Sequence, residues 1–225
     1  MAAVSVGSAK EHVILLHGLA RSSRSMERMA DALETAGFAV VNIDYASRTA
    51  KVDALADEAV GRGLAEGRRQ GATRIHFVTH SLGGILVRSY LARHAVPELG
   101  RVVMLGPPNQ GSEVVDRMGG WWLFRKVNGP AGGELGTNAE SAPNRLGPVT
   151  YPVGVIAGNR SINGINSLMI PGPDDGKVSV ERTKVAGMAG HCVVQATHPF
   201  LMRNGDAIRQ TIFFLRNEVF ELEPR

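Results

Sequence analysis

Short apolar runs alternate along the chain with stretches in which apolar residues recur at helical spacing. The apolar runs cover residues 12–17, 38–43, 74–78, 100–106 and 151–158. Because their hydrophobicity is continuous rather than alternating, they are typical of strands buried on both faces of a parallel sheet. The helical spacing covers residues 26–33, 52–64, 85–95 and 208–215. This alternation predicts the α/β fold class, with a mostly parallel twisted sheet and helices on both faces.

The composition fits one globular domain of ordinary size. The 225 residues are 44% hydrophobic and 20% charged, which is enough apolar material for one core. The net charge is +4 and the isoelectric point is about 9.6, but the basic residues are scattered along the chain. Scattered positive charge indicates a solvated surface and no nucleic-acid partner. The single cysteine excludes an internal disulfide framework.

The sequence has few features of a membrane, secreted or metal-binding protein. Residues 1–10 lack the basic start and the long apolar core of a signal peptide. No apolar run approaches the roughly 20 residues that a membrane span requires. The seven histidines are dispersed and the cysteine is alone, so no metal or other cofactor is expected. We therefore expect a cytoplasmic protein without stable membrane insertion.

The stretch from Thr79 to Gly84 places a serine and two glycines between a predicted strand and a predicted helix. This context is that of a nucleophile elbow, a turn so tight that strand and helix nearly touch. Gly83 and Gly84 suit the narrow space. Such a turn presents the Ser81 hydroxyl at the N-terminus of the following helix, where backbone N–H groups favour an oxyanion.

This stretch resembles the G-x-S-x-G motif of the α/β-hydrolase family, with Thr79 in place of the first glycine. The resemblance covers residues 12–215 or so, and it is closest to the small serine lipases and esterases with little or no cap. A chain of 225 residues has no room for a large inserted domain. The resemblance implies the α/β-hydrolase fold and assigns Ser81 as the catalytic nucleophile.

A second motif, His17-Gly18-Leu19, follows the first predicted strand. In the family, a His-Gly turn at this place shapes the oxyanion hole. The residue after the glycine provides one backbone N–H, and the residue after the nucleophile provides the other. By position, the resemblance assigns these two donors to Leu19 and Leu82. Taken alone, the His-Gly pair is also compatible with a plain turn from strand to loop.

The acid of the triad is expected after a late strand. Residues 174–178 read Asp-Asp-Gly-Lys-Val, and the family's lipases place their acid in an Asp-Gly-x-Val stretch of this kind. The match selects Asp175, which directly precedes the glycine, and leaves Asp174 as the fallback. Without the resemblance, two aspartates in a loop rich in proline and glycine are a common turn. Asp44 also ends a predicted strand, but it precedes the serine, which is the wrong chain order for this family's acid.

The catalytic histidine of the family lies in a loop between the last strand and the final helix. His198 fits this position because the amphipathic run of residues 208–215 begins soon after it. His191 is the competing candidate. Residues 183–185 are the candidate for the last strand, which would place both histidines beyond it.

Residues 109–145 form a candidate lid-like insertion within the single domain of residues 1–225. The pattern loosens here, and Trp121 and Trp122 open an apolar tetrad that precedes a glycine-rich stretch. Some family members carry a lid at this place, so the two tryptophans are candidates for binding the substrate's acyl chain. The alternative is a surface helix that its aromatic residues anchor to the body.

The resemblance implies a serine hydrolase that cleaves carboxylic esters through Ser81, His198 and Asp175 and an acyl-enzyme. The expected partner is a small-molecule or lipid ester. A thioesterase, an amidase, a perhydrolase or a membrane-lipid deacylase would use the same triad, so the sequence does not separate them. A non-catalytic binding protein on this fold is the alternative from another class, and the complete triad argues against it.

Overall fold

The computed structural model describes residues 11–118, 122–161 and 170–222, without the side chains of residues 123–125. Within these residues, six strands form one parallel sheet in the order β2-β1-β3-β4-β5-β6. The strands are β1 (Glu11–Leu16), β2 (Ala39–Ile43), β3 (Arg74–His80), β4 (Leu99–Leu105), β5 (Val153–Gly158) and β6 (Gly190–Val194). The winding direction reverses between β1 and β3, and α/β sheets bind ligands beyond the carboxyl ends of the strands at such a point.

Helices connect the strands and cover both faces of the sheet. They are α1 (Glu27–Thr35), α2 (Val52–Arg69), α3 (Leu82–Leu91), α4 (Glu113–Met118), α5 (Trp122–Gly133), α6 (Ala142–Arg145) and α7 (Gly205–Asn217). Short 3-10 helices cover Ser23–Met26, Glu181–Thr183 and His198–Arg203. Helix α5 is kinked at Gly129, which has a φ of 65° and precedes a proline. None of the helices in the described ranges is long and apolar enough to cross a bilayer.

The two faces of β1 explain why its hydrophobicity is continuous. Val13 and Leu15 pack into a core layer with α1 and α7, whereas Ile14 and Leu16 pack into the opposite layer with α2 and α3. All four side chains are fully buried. Successive residues of a strand point to opposite faces, so a strand covered on both sides has no polar alternation. The predicted parallel sheet with helices on both faces is therefore confirmed.

The last strand differs from the prediction. Residues 183–185 hold the end of a 3-10 helix and two residues without regular structure. The sixth strand is Gly190–Val194, in which His191 lies opposite Val155 of β5. This strand lies at the edge of the sheet, and most of its residues are only partly buried. It therefore lacks the apolar signature of the inner strands. His191 consequently lies within the last strand rather than in the loop after it.

Gly83 is expected to tolerate no side chain. A Cβ at this position would lie 2.7 Å from the Leu16 carbonyl oxygen and 3.0 Å from that of His17. Because these backbone atoms belong to the end of β1 and the residue after it and cannot turn aside, Gly83→Ala should lower the free energy of unfolding by about 2–3 kcal/mol. The matched control is Gly61→Ala in α2, where a Cβ would lie 3.8 Å from the Tyr90 ring. It should raise stability by up to about 1 kcal/mol. Urea unfolding measures the stability of both variants. Equal stabilities of Gly83→Ala and Gly61→Ala would contradict the tight packing at Gly83.

Candidate active site

Ser81 forms the one-residue turn between β3 and α3. Its φ of 52° and ψ of −118° place it in a left-handed region that residues with a side chain rarely adopt. The Ser81 N–H donates to the Leu105 carbonyl oxygen at 2.8 Å, which ties the turn to β4. The turn thus has the strained geometry of a nucleophile elbow.

Thr79 fits the elbow although it replaces the glycine of the motif. Its side chain is fully buried, and its hydroxyl donates to the Val103 carbonyl oxygen at 3.4 Å. A Cβ at Gly84 would lie 3.2 Å from this hydroxyl. The glycine at position 84 therefore makes room for the threonine.

The His198 imidazole joins Ser81 to Asp175. Its Nε2 lies 3.0 Å from Ser81 Oγ, and its Nδ1 lies 2.6 Å from Asp175 Oδ2. Since an ionised carboxylate only accepts hydrogen bonds, Nδ1 donates to Asp175 and Nε2 accepts from the serine hydroxyl. His198 is 4% exposed and Asp175 is 1% exposed, so water hardly reaches this pair. The structure therefore brings together the three residues that the sequence predicted for the triad.

The Asp175 carboxylate is oriented by its own loop. Its Oδ1 accepts from the backbone N–H groups of residues 177 and 178 at 3.0 and 2.9 Å, which leaves Oδ2 for His198. The Asp175 carbonyl oxygen also accepts from the His198 N–H at 2.8 Å. The neighbouring Asp174 accepts from the Gly176 N–H at 2.7 Å. The position before the glycine is thus the one that faces the histidine.

Gly106 is a residue of the site that the sequence pattern does not single out. It directly follows β4 and has a φ of 54°. A Cβ there would lie 3.0 Å from Asp175 Oδ2 and 3.2 Å from His198 Nδ1. The hydrogen-bonded side chains of Asp175 and His198 therefore lie so close to Gly106 that this residue has to be small. A glycine at the end of an apolar run is the visible signal, but many strands end in this way.

His80 is the second residue of the site that the sequence pattern does not single out. Its ring is buried beside that of His198, with 4.8 Å between the ring centroids, and its Nε2 lies 3.0 Å from the His198 carbonyl oxygen. Because a carbonyl oxygen only accepts, Nε2 carries the proton. Burial, followed by the nearby charge of His198, lowers the pKa of His80 well below its usual value. His80 therefore anchors the main chain of His198 without adding a charge.

We expect His80→Ala to lower kcat/KM by about 10- to 100-fold, because a slightly misplaced His198 no longer meets the serine hydroxyl. His80→Gln is the matched variant: its amide keeps an N–H donor and should recover part of the lost activity. A larger effect on kcat than on KM would indicate lost positioning rather than lost substrate binding. Steady-state kinetics on variants checked by circular dichroism measures this. A folded alanine variant with wild-type kinetics would rule out the anchoring role.

The loop after β1 lies against the nucleophile. A Cβ at Gly18 would lie 3.3 Å from the Ser81 Cβ. Leu19 follows this glycine, and Leu82 follows Ser81 as the first residue of α3. The two predicted oxyanion donors thus come from the ends of the neighbouring strands β1 and β3. Their role stays a prediction.

His17 and its partners hold this loop in place. Tyr45 stacks on the His17 ring with 4.1 Å between centroids, and its hydroxyl donates to the His17 carbonyl oxygen at 2.6 Å. The Ala20 N–H donates to Ser47 Oγ at 3.0 Å. Burial lowers the pKa of His17, so its ring is neutral at pH 7. Asp44 is exposed and accepts a backbone N–H at 2.9 Å from the neighbouring 3-10 helix.

His191, the competing candidate, has other partners. Its Nε2 lies 2.9 Å from Thr183 Oγ1, and the same hydroxyl donates to the Val180 carbonyl oxygen at 2.6 Å. Since this hydroxyl uses its proton on the carbonyl oxygen, it accepts from the ring. The described ranges contain no group of three or more His, Cys, Asp or Glu side chains that could hold a metal ion.

The candidate lid is described in part. Trp121 lies outside the described residues, and Trp122 begins α5 with 72% of its surface exposed. At the other end of α5, the Ala131 N–H donates to the Ala50 carbonyl oxygen at 3.2 Å. A Cβ at Gly132 would lie 3.0 Å from Leu19 Cδ2. The end of α5 is therefore anchored beside the loop of Leu19, and acyl-chain binding by the two tryptophans stays a prediction.

Comparison with known structures identifies the fold. The mature lipase BlEst2 of Bacillus licheniformis superposes with a TM-score of 0.76 at 20% identity, over 92% of each chain. Phospholipase PlaB from Legionella pneumophila gives a TM-score of 0.72 at 18% identity, over 93% of this chain and 60% of that one. An esterase from Thermogutta terrifontis gives 0.63 at 16% identity, over 92% and 90%. The predicted α/β-hydrolase fold is confirmed.

Comparison of the sequence with protein-family models identifies the family. A search of curated proteins found no match. Residues 12–142 match the model of the palmitoyl protein thioesterases, a range that includes Ser81 and ends before Asp175 and His198. Because this match spans more than half of a chain with the α/β-hydrolase fold, the chain belongs to the palmitoyl protein thioesterase family.

Proposed function

We propose that this chain is a serine hydrolase that cleaves carboxylic esters through Ser81, His198 and Asp175. The observation that carries the proposal is the continuous hydrogen-bonded path from Ser81 Oγ through the imidazole to the buried carboxylate. A serine hydroxyl is a weak nucleophile near neutral pH, and a base held at 3.0 Å by a third group is what activates it. The α/β-hydrolase fold of the solved lipases and the esterase supports the same reaction class.

In the proposed reaction, His198 Nε2 takes the Ser81 proton as Oγ attacks the ester carbonyl carbon. Asp175 keeps the proton on Nδ1 and stabilises the imidazolium that forms. The backbone N–H groups of Leu19 and Leu82 bind the negative oxygen of the tetrahedral intermediate. Nε2 then gives its proton to the departing alkoxide, which leaves as an alcohol. Water attacks the acyl-enzyme in the same way and releases the carboxylic acid.

A thioesterase is the second candidate, and the matched family favours it. The nucleophile, base and oxyanion donors would be the same. The leaving groups differ: a thiol has a pKa of about 8.5, so a thiolate departs without needing the proton that an alkoxide takes from His198. The two candidates therefore differ in how strongly release of the leaving group depends on the imidazole.

Ethyl esters and S-ethyl thioesters of the same acids, from acetate to palmitate, separate these candidates. We expect wild type to hydrolyse the ethyl esters and a fluorophosphonate probe to label Ser81, located by mass spectrometry of the labelled peptide. Thioester turnover that exceeds ester turnover at every chain length would instead support the second candidate. Folded wild-type protein that hydrolyses neither series and resists the probe would refute both.

A further inference from the structure

A cationic cavity lies beside the segment that carries His198. Its volume is about 460 Å³, and its lining includes Arg28, Arg160, Arg203, Thr197 and Phe200. The three arginines come from separate places: the start of α1, the residues after β5 and the end of the 3-10 helix that begins at His198. All three places lie at the carboxyl end of the sheet, as Ser81 does. The cavity therefore gathers positive charge on the same side of the molecule as the candidate active site.

The positive charge of this cavity has no acidic counterpart in the part of the chain that the structure describes. Within the described residues, no acidic side chain forms an ion pair with Arg28, Arg160 or Arg203. Arg160 donates to the neutral side-chain amide of Gln195 at 2.6 Å. Burial, and then the charge of Arg203, lowers the pKa of Arg21, so a fourth cation lies close by.

Some exposed arginines elsewhere in the molecule have acidic partners. Arg93 lies 2.8 Å from Asp57 on the neighbouring helix, and Arg68 lies 2.5 Å from Glu98. Like charges held together without a counter-charge repel each other, and a bound anion would remove that repulsion. Three arginines that line one cavity without an acidic partner among the described residues favour an anionic ligand there.

The other groups that line the cavity suit an organic phosphate monoester. Thr197 lines the cavity, and its buried hydroxyl has no hydrogen-bond partner among the described residues. Arginine side chains bind phosphate oxygens with two parallel hydrogen bonds. Three guanidinium groups exceed the single charge of a carboxylate and suit the charge of about −2 on a phosphate monoester. Phe200, which is 54% exposed, offers an apolar surface beside them.

We propose that this cavity binds the phosphate of an acyl substrate whose leaving group is a phosphorylated alcohol or thiol. The inference rests on the proposed function, because the leaving group receives its proton from His198. Thr197 lines the cavity and directly precedes His198, so the cavity adjoins the segment that carries the residue acting on the leaving group. Inorganic phosphate shares the recognised chemistry, and the experiment has to separate it from a phosphorylated substrate.

Two esters that differ in one phosphate test the substrate assignment. We expect kcat/KM for 1-hexanoylglycerol 3-phosphate to exceed that for 1-hexanoylglycerol by about tenfold or more at low salt. In the double variant Arg160→Gln/Arg203→Gln this ratio should fall at least about fivefold. The matched control is Arg69→Gln/Arg74→Gln, which removes the same charge at the amino end of the sheet and should keep the wild-type ratio. A wild-type ratio near one would overturn the substrate assignment.

Phosphate binding to Ser81→Ala tests the cavity without any turnover. Inorganic phosphate should raise the Tm of this variant above its value in chloride at equal ionic strength. Adding Arg160→Gln/Arg203→Gln should abolish this rise. Equal Tm values in phosphate and chloride would overturn the cavity as an anion site. Phosphate binding without a preference for the phosphorylated ester would show a site for a free anion, and would overturn the substrate assignment. Were wild type to hydrolyse no ester, the proposed function would fail, and this measurement would still decide the cavity.

Discussion

Ser81→Ala is expected to lower kcat/KM by about 10⁵-fold on every ester that wild type hydrolyses. Without Oγ no acyl-enzyme forms, and the base at 3.0 Å has no hydroxyl proton to take. The residual rate would come from substrate binding and from the backbone donors of Leu19 and Leu82. Alanine keeps the Cβ that already occupies the strained turn, so the variant should fold normally. Hydrolysis of p-nitrophenyl esters, with circular dichroism on the same samples, measures this loss.

Ser89→Ala is the matched control for loss of a serine hydroxyl. Ser89 lies on α3, the helix that follows Ser81, is fully buried and donates to Asp53 Oδ1 at 2.6 Å. Removing that hydrogen bond should cost about 1–2 kcal/mol of stability and leave kcat/KM unchanged. If Ser81→Ala retained the activity of Ser89→Ala, the nucleophile would lie elsewhere and the assignment of the elbow would be wrong.

Asp175→Asn is expected to lower kcat/KM by about 10³- to 10⁴-fold. The carboxylate now accepts from His198 with one oxygen and from two backbone N–H groups with the other. An asparagine amide has one oxygen, so its NH₂ group must face either the backbone N–H groups or the imidazole. Facing the imidazole, it favours the tautomer with the proton on Nε2, which cannot accept the serine proton. The steady-state kinetics of the purified variant measures the loss.

Asp174→Asn is the control that separates the position of the carboxylate at residue 175 from the total negative charge of the loop. It makes the same charge change one residue earlier, and an asparagine oxygen can still accept from the Gly176 N–H, which now donates to Asp174 at 2.7 Å. We expect it to retain most of the wild-type activity. Equal losses in the two variants would mean that the negative charge of the loop, rather than the hydrogen bond from Asp175 to His198, supports catalysis.

Most of the architecture of this protein can be predicted from local sequence patterns. A strand buried on both faces has a continuous run of apolar residues, and a helix packed on one side has apolar residues three and four positions apart. The order of the elements therefore follows from the sequence. The edge strand β6 is the exception, because most of its residues are only partly buried and its polar positions resemble a loop.

The candidate site was predictable where a residue lies at the end of a strand. In a parallel sheet the carboxyl ends meet at one edge, so motifs that end successive strands converge whatever their distance along the chain. Ser81 follows β3 and the glycine loop follows β1, and both were visible in this way. The choice of Asp175 and His198 rested on a resemblance to a family, and their hydrogen bond of 2.6 Å depends on the folded loops.

By itself, the sequence determined the alternation of strands and helices and the position of the elbow at Ser81, whereas the triad partners came from the resemblance to a family. Only the tertiary structure decided that Gly106 underlies the pair of acid and histidine, that His80 anchors His198, and that three arginines share one cavity. The physical reason is the distance along the chain over which each kind of interaction acts. Periodicity records the burial of a residue within its own element, whereas these contacts join residues from distant elements, and their geometry exists only after the chain has packed.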